Sequence, residues 1–273
     1  MLHSLERFVA PCAALFLVSC VADRTAPTTV TVGADLASAY VHRGMVQNEN
    51  EVLQVEGIVK IPAKRDGTLR LRTWGNMDLG NDTGDAWFPD GNAGSFSQID
   101  INAFYDQAVG NGTISAGVVN YNLPNGIEFP FGERGATNEV VLAGAYALPD
   151  SLLALVPSLS VHYDFDEVDG FYVRAGLART FGDPTGFSVD ADVGLAWMDG
   201  EQAFWLYAFP EDESGLADLT ARLTARYPII EGTTLSAFIA YSTVIDDDYS
   251  DWIESLGIDP DQAYGGIGVR WFF

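Results

Sequence analysis

Apolar and polar residues alternate with a period of two along most of this chain, the spacing that sends successive side chains to opposite faces of a β-strand. In "TLRLRTWGNMDL", Leu69, Leu71, Thr73, Met77 and Leu79 fall on one face and Arg70, Arg72, Asn76 and Asp78 on the other. "SLSVHYDFD" sets Leu159, Val161, Tyr163 and Phe165 against Ser160, His162, Asp164 and Asp166. "FSVDADVGLAW" sets Phe187, Val189, Val193, Leu195 and Trp197 against Ser188, Asp190 and Asp192. Twelve such segments are predicted, at 30–46, 51–61, 67–79, 95–107, 112–123, 137–148, 157–166, 169–181, 186–198, 216–227, 233–245 and 263–273. Beyond the N-terminal segment no stretch is long and apolar enough for a transmembrane helix.

The connections carry an independent signal. After even-numbered strands they are mostly brief, as in "PAKRDG", "AVGNG", "GDPTG" and "PIIEG", while most of the long ones (80–94, 124–136, 199–215 and 246–262) follow odd-numbered strands. A soluble sandwich or lipocalin-like barrel also alternates, but has no reason for this asymmetry. An outer-membrane barrel does, because its periplasmic turns are short and its outer loops longer. Aromatic residues near the ends of the apolar face, Tyr40, His42, Trp87, Tyr121, Tyr146, Trp197, Tyr227 and Tyr241, fit interfacial belts. The predicted fold is therefore all-β: a twelve-stranded antiparallel up-and-down transmembrane barrel, one domain over 23–273.

The first residues change the picture of where the chain goes. "FVAPCAALFLV" has the length of a signal h-region, so 1–22 is expected to be an export signal. "LVSC" resembles a lipobox, which would make Cys20 a lipidated first residue; ordinary cleavage after Ala22 is the alternative. Both cysteines, Cys12 and Cys20, lie in this segment, leaving the rest without a disulfide. At the other end, "AYGGIGVRWFF" stops on Phe273 with no polar tail, an ending that resembles the assembly signal of outer-membrane barrels.

Charge narrows the function. Against 14 Lys and Arg stand 38 Asp and Glu, a formal net charge of −24, which excludes a nucleic-acid partner because phosphate contacts need clustered cations. With the polar face turned to the lumen, Arg43, Arg70, Arg72, Arg222, Arg226 and Arg270 are expected on one side of a pore. Asp100, Asp164, Asp166, Asp190 and Asp192 are expected on the other, giving a transverse field for small solutes. The alternative is that these charges pair across neighbouring strands and fill the lumen. Loops 80–94 and 124–136 are candidates to fold inward and narrow it.

Other chemistries fare less well. The acidic loop 246–261 does not fit the ligand spacing of an EF-hand, so no metal or cofactor is assigned. Ser160, His162 and Asp164 share a strand face, but i, i+2 neighbours stand about 7 Å apart and do not converge as a triad must. The chain is expected to be no enzyme, with a barrel hydrolase using His162 as a remote alternative and a closed structural or surface-binding barrel as the nearer one.

"ASAYVHRGMVQNENEVLQ" at 37–54 resembles the Ser-x-Tyr-x-x-Arg-Gly start of the TorF-type porin family, with looser similarity in "TNEVVLAGAY" at 137–146 and "VHYDFDEVDGFYVRAG" at 161–176. Where that family tends to have Trp before Arg-Gly, this chain has His42. The resemblance implies an outer-membrane channel and carries Arg43 over as a motif position. The expected partners are outer-membrane lipids and lipopolysaccharide, the insertion machinery and small solutes.

Overall fold

The computed structural model describes residues 26–80, 93–124, 128–129, 132–133 and 135–273. Predictions for the export signal, Cys20, Trp87 and most of loops 80–94 and 124–136 lie outside the described residues. Twelve strands form one closed antiparallel barrel: β1 (Thr29–Ala37), β2 (Val52–Ala63), β3 (Gly67–Asp78), β4 (Phe96–Val109), β5 (Gly112–Asn122), β6 (Ala136–Tyr146), β7 (Val156–Asp164), β8 (Phe171–Gly182), β9 (Ser188–Met198), β10 (Gly215–Ile230), β11 (Thr233–Val244) and β12 (Asp261–Phe272). Each strand pairs with its sequence neighbours, and β1 pairs with β12 from Thr31↔Phe272 to Ala37↔Gly266. Phe273 completes the seam: its N–H donates to the Val30 carbonyl at 2.9 Å and its carbonyl accepts from the Val30 N–H at 3.0 Å. Closure leaves no strand edge to be satisfied in lipid.

Parity assigns the two faces. Ile101, Leu142, Ile239 and Ile267 are 55%, 57%, 65% and 62% exposed and point outward, as lipid-facing residues should. Outward Tyr163 stacks on Phe171 and donates to Asp169, and outward Tyr241 donates to Asp261, so the tyrosines are apolar toward lipid and hydrogen-bonded at the outer rim. Among the described residues no helix is long and apolar enough to cross a membrane. The strands do the spanning.

The first strand departs from expectation. The predicted strand runs to residue 46, but β1 leaves the sheet after Ala37, and Tyr40–His42 and Met45–Asn48 form a separate two-stranded hairpin. Ala37 already pairs with Val52 of β2, so the fourteen residues between them are surplus to the wall and fold inward. Two helices cap the same end: α1 (Gly200–Tyr207), whose N-cap Asp199 accepts from the Gln202 N–H, and α2 (Asp247–Ser255), whose N-cap Asp246 accepts from the Asp248 N–H. Met45 and Val46 of the hairpin pack with Leu206, Tyr207 and Phe209 around α1, Tyr249 and Ile253 of α2, and the inward-facing Tyr172, Ala196, Met198 and Val244. A small hydrophobic core thus fills the outer half of the barrel on the β8–β11 side.

Candidate functional site

The hairpin is built by its turn. His42 and Met45 face each other across Arg43-Gly44, and both turn residues have positive φ, 50° and 82°, as a two-residue type I′ connection requires. Arginine in that region costs about 1–2 kcal/mol, so the surroundings must hold it there. Gly44 is fixed by space as well: an added Cβ would lie 2.7 Å from Asp218 Cβ and 2.9 Å from the Tyr207 hydroxyl. That hydroxyl donates to the Arg43 carbonyl at 2.9 Å, tying α1 to the turn. At the hairpin base, Tyr40 donates to Gln98 Oε1 at 2.6 Å and packs on Trp74, 5.5 Å between ring centroids.

From this tip the Arg43 side chain reaches across the lumen to the β5–β8 wall. Its Nη2 lies 2.7 Å from Glu139 Oε1 and 2.8 Å from Oε2, with the side chains 8% and 2% exposed. The guanidinium sits 4.3 Å over the Tyr172 ring and 5.7 Å from the Tyr121 ring. Glu139 also accepts from the Tyr121 hydroxyl at 3.0 Å and lies 2.9 Å from His162 Nδ1, while Tyr172 donates to Asp218 at 2.8 Å. A buried ion pair is tolerable only with its remaining lone pairs satisfied, and this carboxylate has three partners.

These contacts correct several sequence expectations. Tyr40, His42 and Tyr121 are not belt residues: the His42 ring packs 6.4 Å from Tyr40 and 5.9 Å from Tyr121, inside the barrel. Tyr121 stands one residue out of register with outward Val118 and Asn120, and the hairpin carries the other two away from the wall. Arg43 is luminal but belongs to the hairpin. Asp166 lies past the end of β7 in an outer turn, where it accepts from Asn138 at 2.6 Å, and is not on the lumen wall. Asp164 accepts from Thr137 and from the backbone N–H groups of Asp166 and Val168, organising that turn.

Farther toward the periplasmic end the wall arginines are compensated by neighbours. Arg70 grips Asp106 at 2.8 and 3.0 Å, Arg72 meets Glu56 at 2.7 Å, Arg270 grips Asp35 at 2.5 and 3.0 Å, and Arg226 pairs with Asp190. Arg222 stacks on Phe238, 3.7 Å to the ring centroid, with Asp192 opposite it in register. Asp100 accepts from Gln98 at 2.8 Å. The separation into a basic and an acidic side is therefore largely cancelled pair by pair, the arrangement weighed above as the alternative. Side-chain exposure rises along the axis, from 2% at Glu139 to 25% at Arg70 and 50% at Arg226. The lumen is packed at its outer half, and the ion pairs toward the periplasmic end are more exposed than the one at Glu139.

His162 Nδ1 lies 2.9 Å from Glu139 and 3.4 Å from Arg43 Nη2, and no hydroxyl among the described residues is hydrogen-bonded to it. Nor do the described residues gather three or more potential metal ligands, the acidic loop 246–261 included.

No family model matches the chain, and no curated protein does; the TorF-type resemblance therefore rests on its short motifs alone. Among solved structures, the fold is similar to the COG4313 outer membrane channel from Pseudomonas putida F1, with a TM-score of 0.50 and 12% identity over 92% of this chain and 97% of that one. The NanC porin (TM-score 0.49, 9% identity, 89% and 98% covered) and the KdgM porin (0.46, 8%, 89% and 98%) are also similar. At these identities the likeness is one of fold: the chain is a barrel of the outer-membrane type.

Proposed function

We propose that the protein is a porin-like channel through which small hydrophilic solutes diffuse passively across the outer membrane, and that the hairpin 40–48 closes its outer half. The observation that carries this is the contrast along the lumen. A charged wall, more exposed than the outer half, runs up from the periplasmic end and stops at a plug held by the packing of Met45 and Val46, by Tyr40 on Gln98, by Tyr207 on the Arg43 carbonyl and by the latch from Arg43 to Glu139. Paired charges alone would also fill a closed barrel; what favours a channel is the exposure of the lower pairs, 25% at Arg70 and 50% at Arg226. Arg70, Arg72, Arg222, Arg226, Arg270, Asp100, Asp190 and Asp192 line the route in this proposal, with Asp164 at its outer rim. Residues 1–22 act as the export signal, the apolar belt meets lipid and lipopolysaccharide, and the terminal strand is read by the insertion machinery.

Planar-bilayer recording tests this: the purified, folded chain should show discrete conductance steps, and silence from both the native chain and hairpin variants would remove the channel. One observation favours a second reading, a closed surface-binding barrel: the outer half is packed as tightly as a protein core, with Tyr207, Met45 and Ile253 fully buried.

A further inference from the structure

We propose that the pocket around Glu139 is a binding site for solutes carrying a guanidinium or ammonium group, with Arg43 as its built-in competitor, so that such a solute displaces the hairpin. The binding step stands independently of conduction; only its consequence, opening, rests on the channel proposed above.

The pocket belongs to the wall and not to the plug. Tyr121, Glu139, His162 and Tyr172 come from four consecutive strands, β5 to β8, and hold one another without the hairpin: Tyr121 and His162 on Glu139, and Asp218 on the Tyr172 hydroxyl. It therefore persists when Arg43 withdraws. Its chemistry selects a cation: a carboxylate at one side and tyrosine faces at 4.3 and 5.7 Å are the elements that recognise guanidinium and ammonium ions. An anion would meet Glu139, and a neutral solute would leave that carboxylate buried without a counter-charge. A planar guanidinium also stacks on Tyr172 as Arg43 does, which a spherical ammonium reproduces less fully.

The approach to the pocket has the same preference. Among the described residues of the outer connections Arg43 is the one cation, while Glu49, Glu51, Glu167, Glu201, Asp247 and Asp251 are among many acids. A mouth of single sign raises the local concentration of oppositely charged solutes. That matters because Arg43 is tethered, and a free solute must compete with an effective concentration of about millimolar or more.

The test uses the full chain in detergent with L-argininamide as probe, reading hydrogen exchange of the 40–48 amides by mass spectrometry. Argininamide at tens of millimolar should raise exchange there while glutamate at equal ionic strength does not. Arg43→Ala should bind argininamide at least tenfold more tightly, since its competitor is gone, and Glu139→Gln should abolish the response. Should Glu139→Gln fail to insert, Tyr172→Leu removes the ring face and should weaken binding severalfold. Unchanged exchange with argininamide together with no binding to Arg43→Ala overturns the proposal, as does binding that survives Glu139→Gln. A chain that responds to argininamide but never conducts would sink the channel and leave the site standing. A chain that conducts but ignores argininamide does the reverse.

Discussion

Arg43→Ala is the sharpest probe of the plug. The substitution deletes both short contacts to Glu139 and the stack on Tyr172, but Ala at position 43 still needs positive φ, so no strain is relieved. Removing one partner of a buried ion pair costs about 3–5 kcal/mol. The lower end applies here, because Tyr121 and His162 remain on Glu139 and keep its charge partly compensated. At about 1.4 kcal/mol per power of ten, a loss of about 3 kcal/mol shifts the hairpin from docked toward released by roughly a hundredfold. Hydrogen exchange of the 40–48 amides should lose that much protection while amides of β5 to β8 stay protected. Arg43→Lys, keeping charge without the fork, should fall between. If Arg43→Ala leaves hairpin protection unchanged, Met45 and Val46 hold the plug by packing alone and the latch is not one.

Gly44→Val should loosen the hairpin as well, by clash with Asp218 and Tyr207 and by an unfavourable φ, seen as raised exchange at 40–48 in a barrel that still inserts. His42, in that hairpin among Tyr40, Tyr121, Arg43, Glu139 and His162, has its pKa pushed down to about 3 by burial first and by Arg43 second. The released hairpin takes up a proton below about pH 6.5 that the docked one refuses, so docking weakens as pH falls from there toward 3, by about 2 kcal/mol at pH 5. Equal protection at pH 7.5 and 5, after correction for intrinsic exchange, would show His42 to be solvated. Arg70→Glu with Arg72→Glu should move the reversal potential toward cation selectivity, and an unchanged potential takes both off the solute route. Deleting Phe273 removes two backbone bonds to Val30 and should impair barrel assembly more than conduction by the barrels that form; normal insertion would count against its role as a signal.

Strand number, order and facing were legible because parity is repeated twelve times, and a wrong register would turn every apolar residue to the lumen. Parity failed where a strand stops being part of the wall without ceasing to be a strand. The clean alternation of β1 is already lost over 40–48, where Tyr40 adjoins Val41 and Met45 adjoins Val46, and the predicted strand runs on to 46 through that break. The available signals were that break and Arg43-Gly44, a two-residue turn with a glycine free to take positive φ. Tyr121 was misplaced when residue type outweighed its position two after Val119, an inward residue 5% exposed. The pairing of Arg70 with Asp106 and of Arg226 with Asp190 depended on register between strands, which a single strand's pattern does not contain. Glu139 as the latch partner of Arg43 was beyond reach for the same reason: the two lie 96 residues apart and meet only across the lumen.

The central claim is that a channel exists and that the hairpin closes it. Because Ala37 and Val52 are already paired, residues 40–48 can be replaced by a short Gly-Ser turn without disturbing the wall. Single-channel recording of that chain, folded and inserted in a planar bilayer, should show a steadily open conductance well above that of the native protein. A correctly folded hairpin-deleted barrel that passes no current would contradict the account.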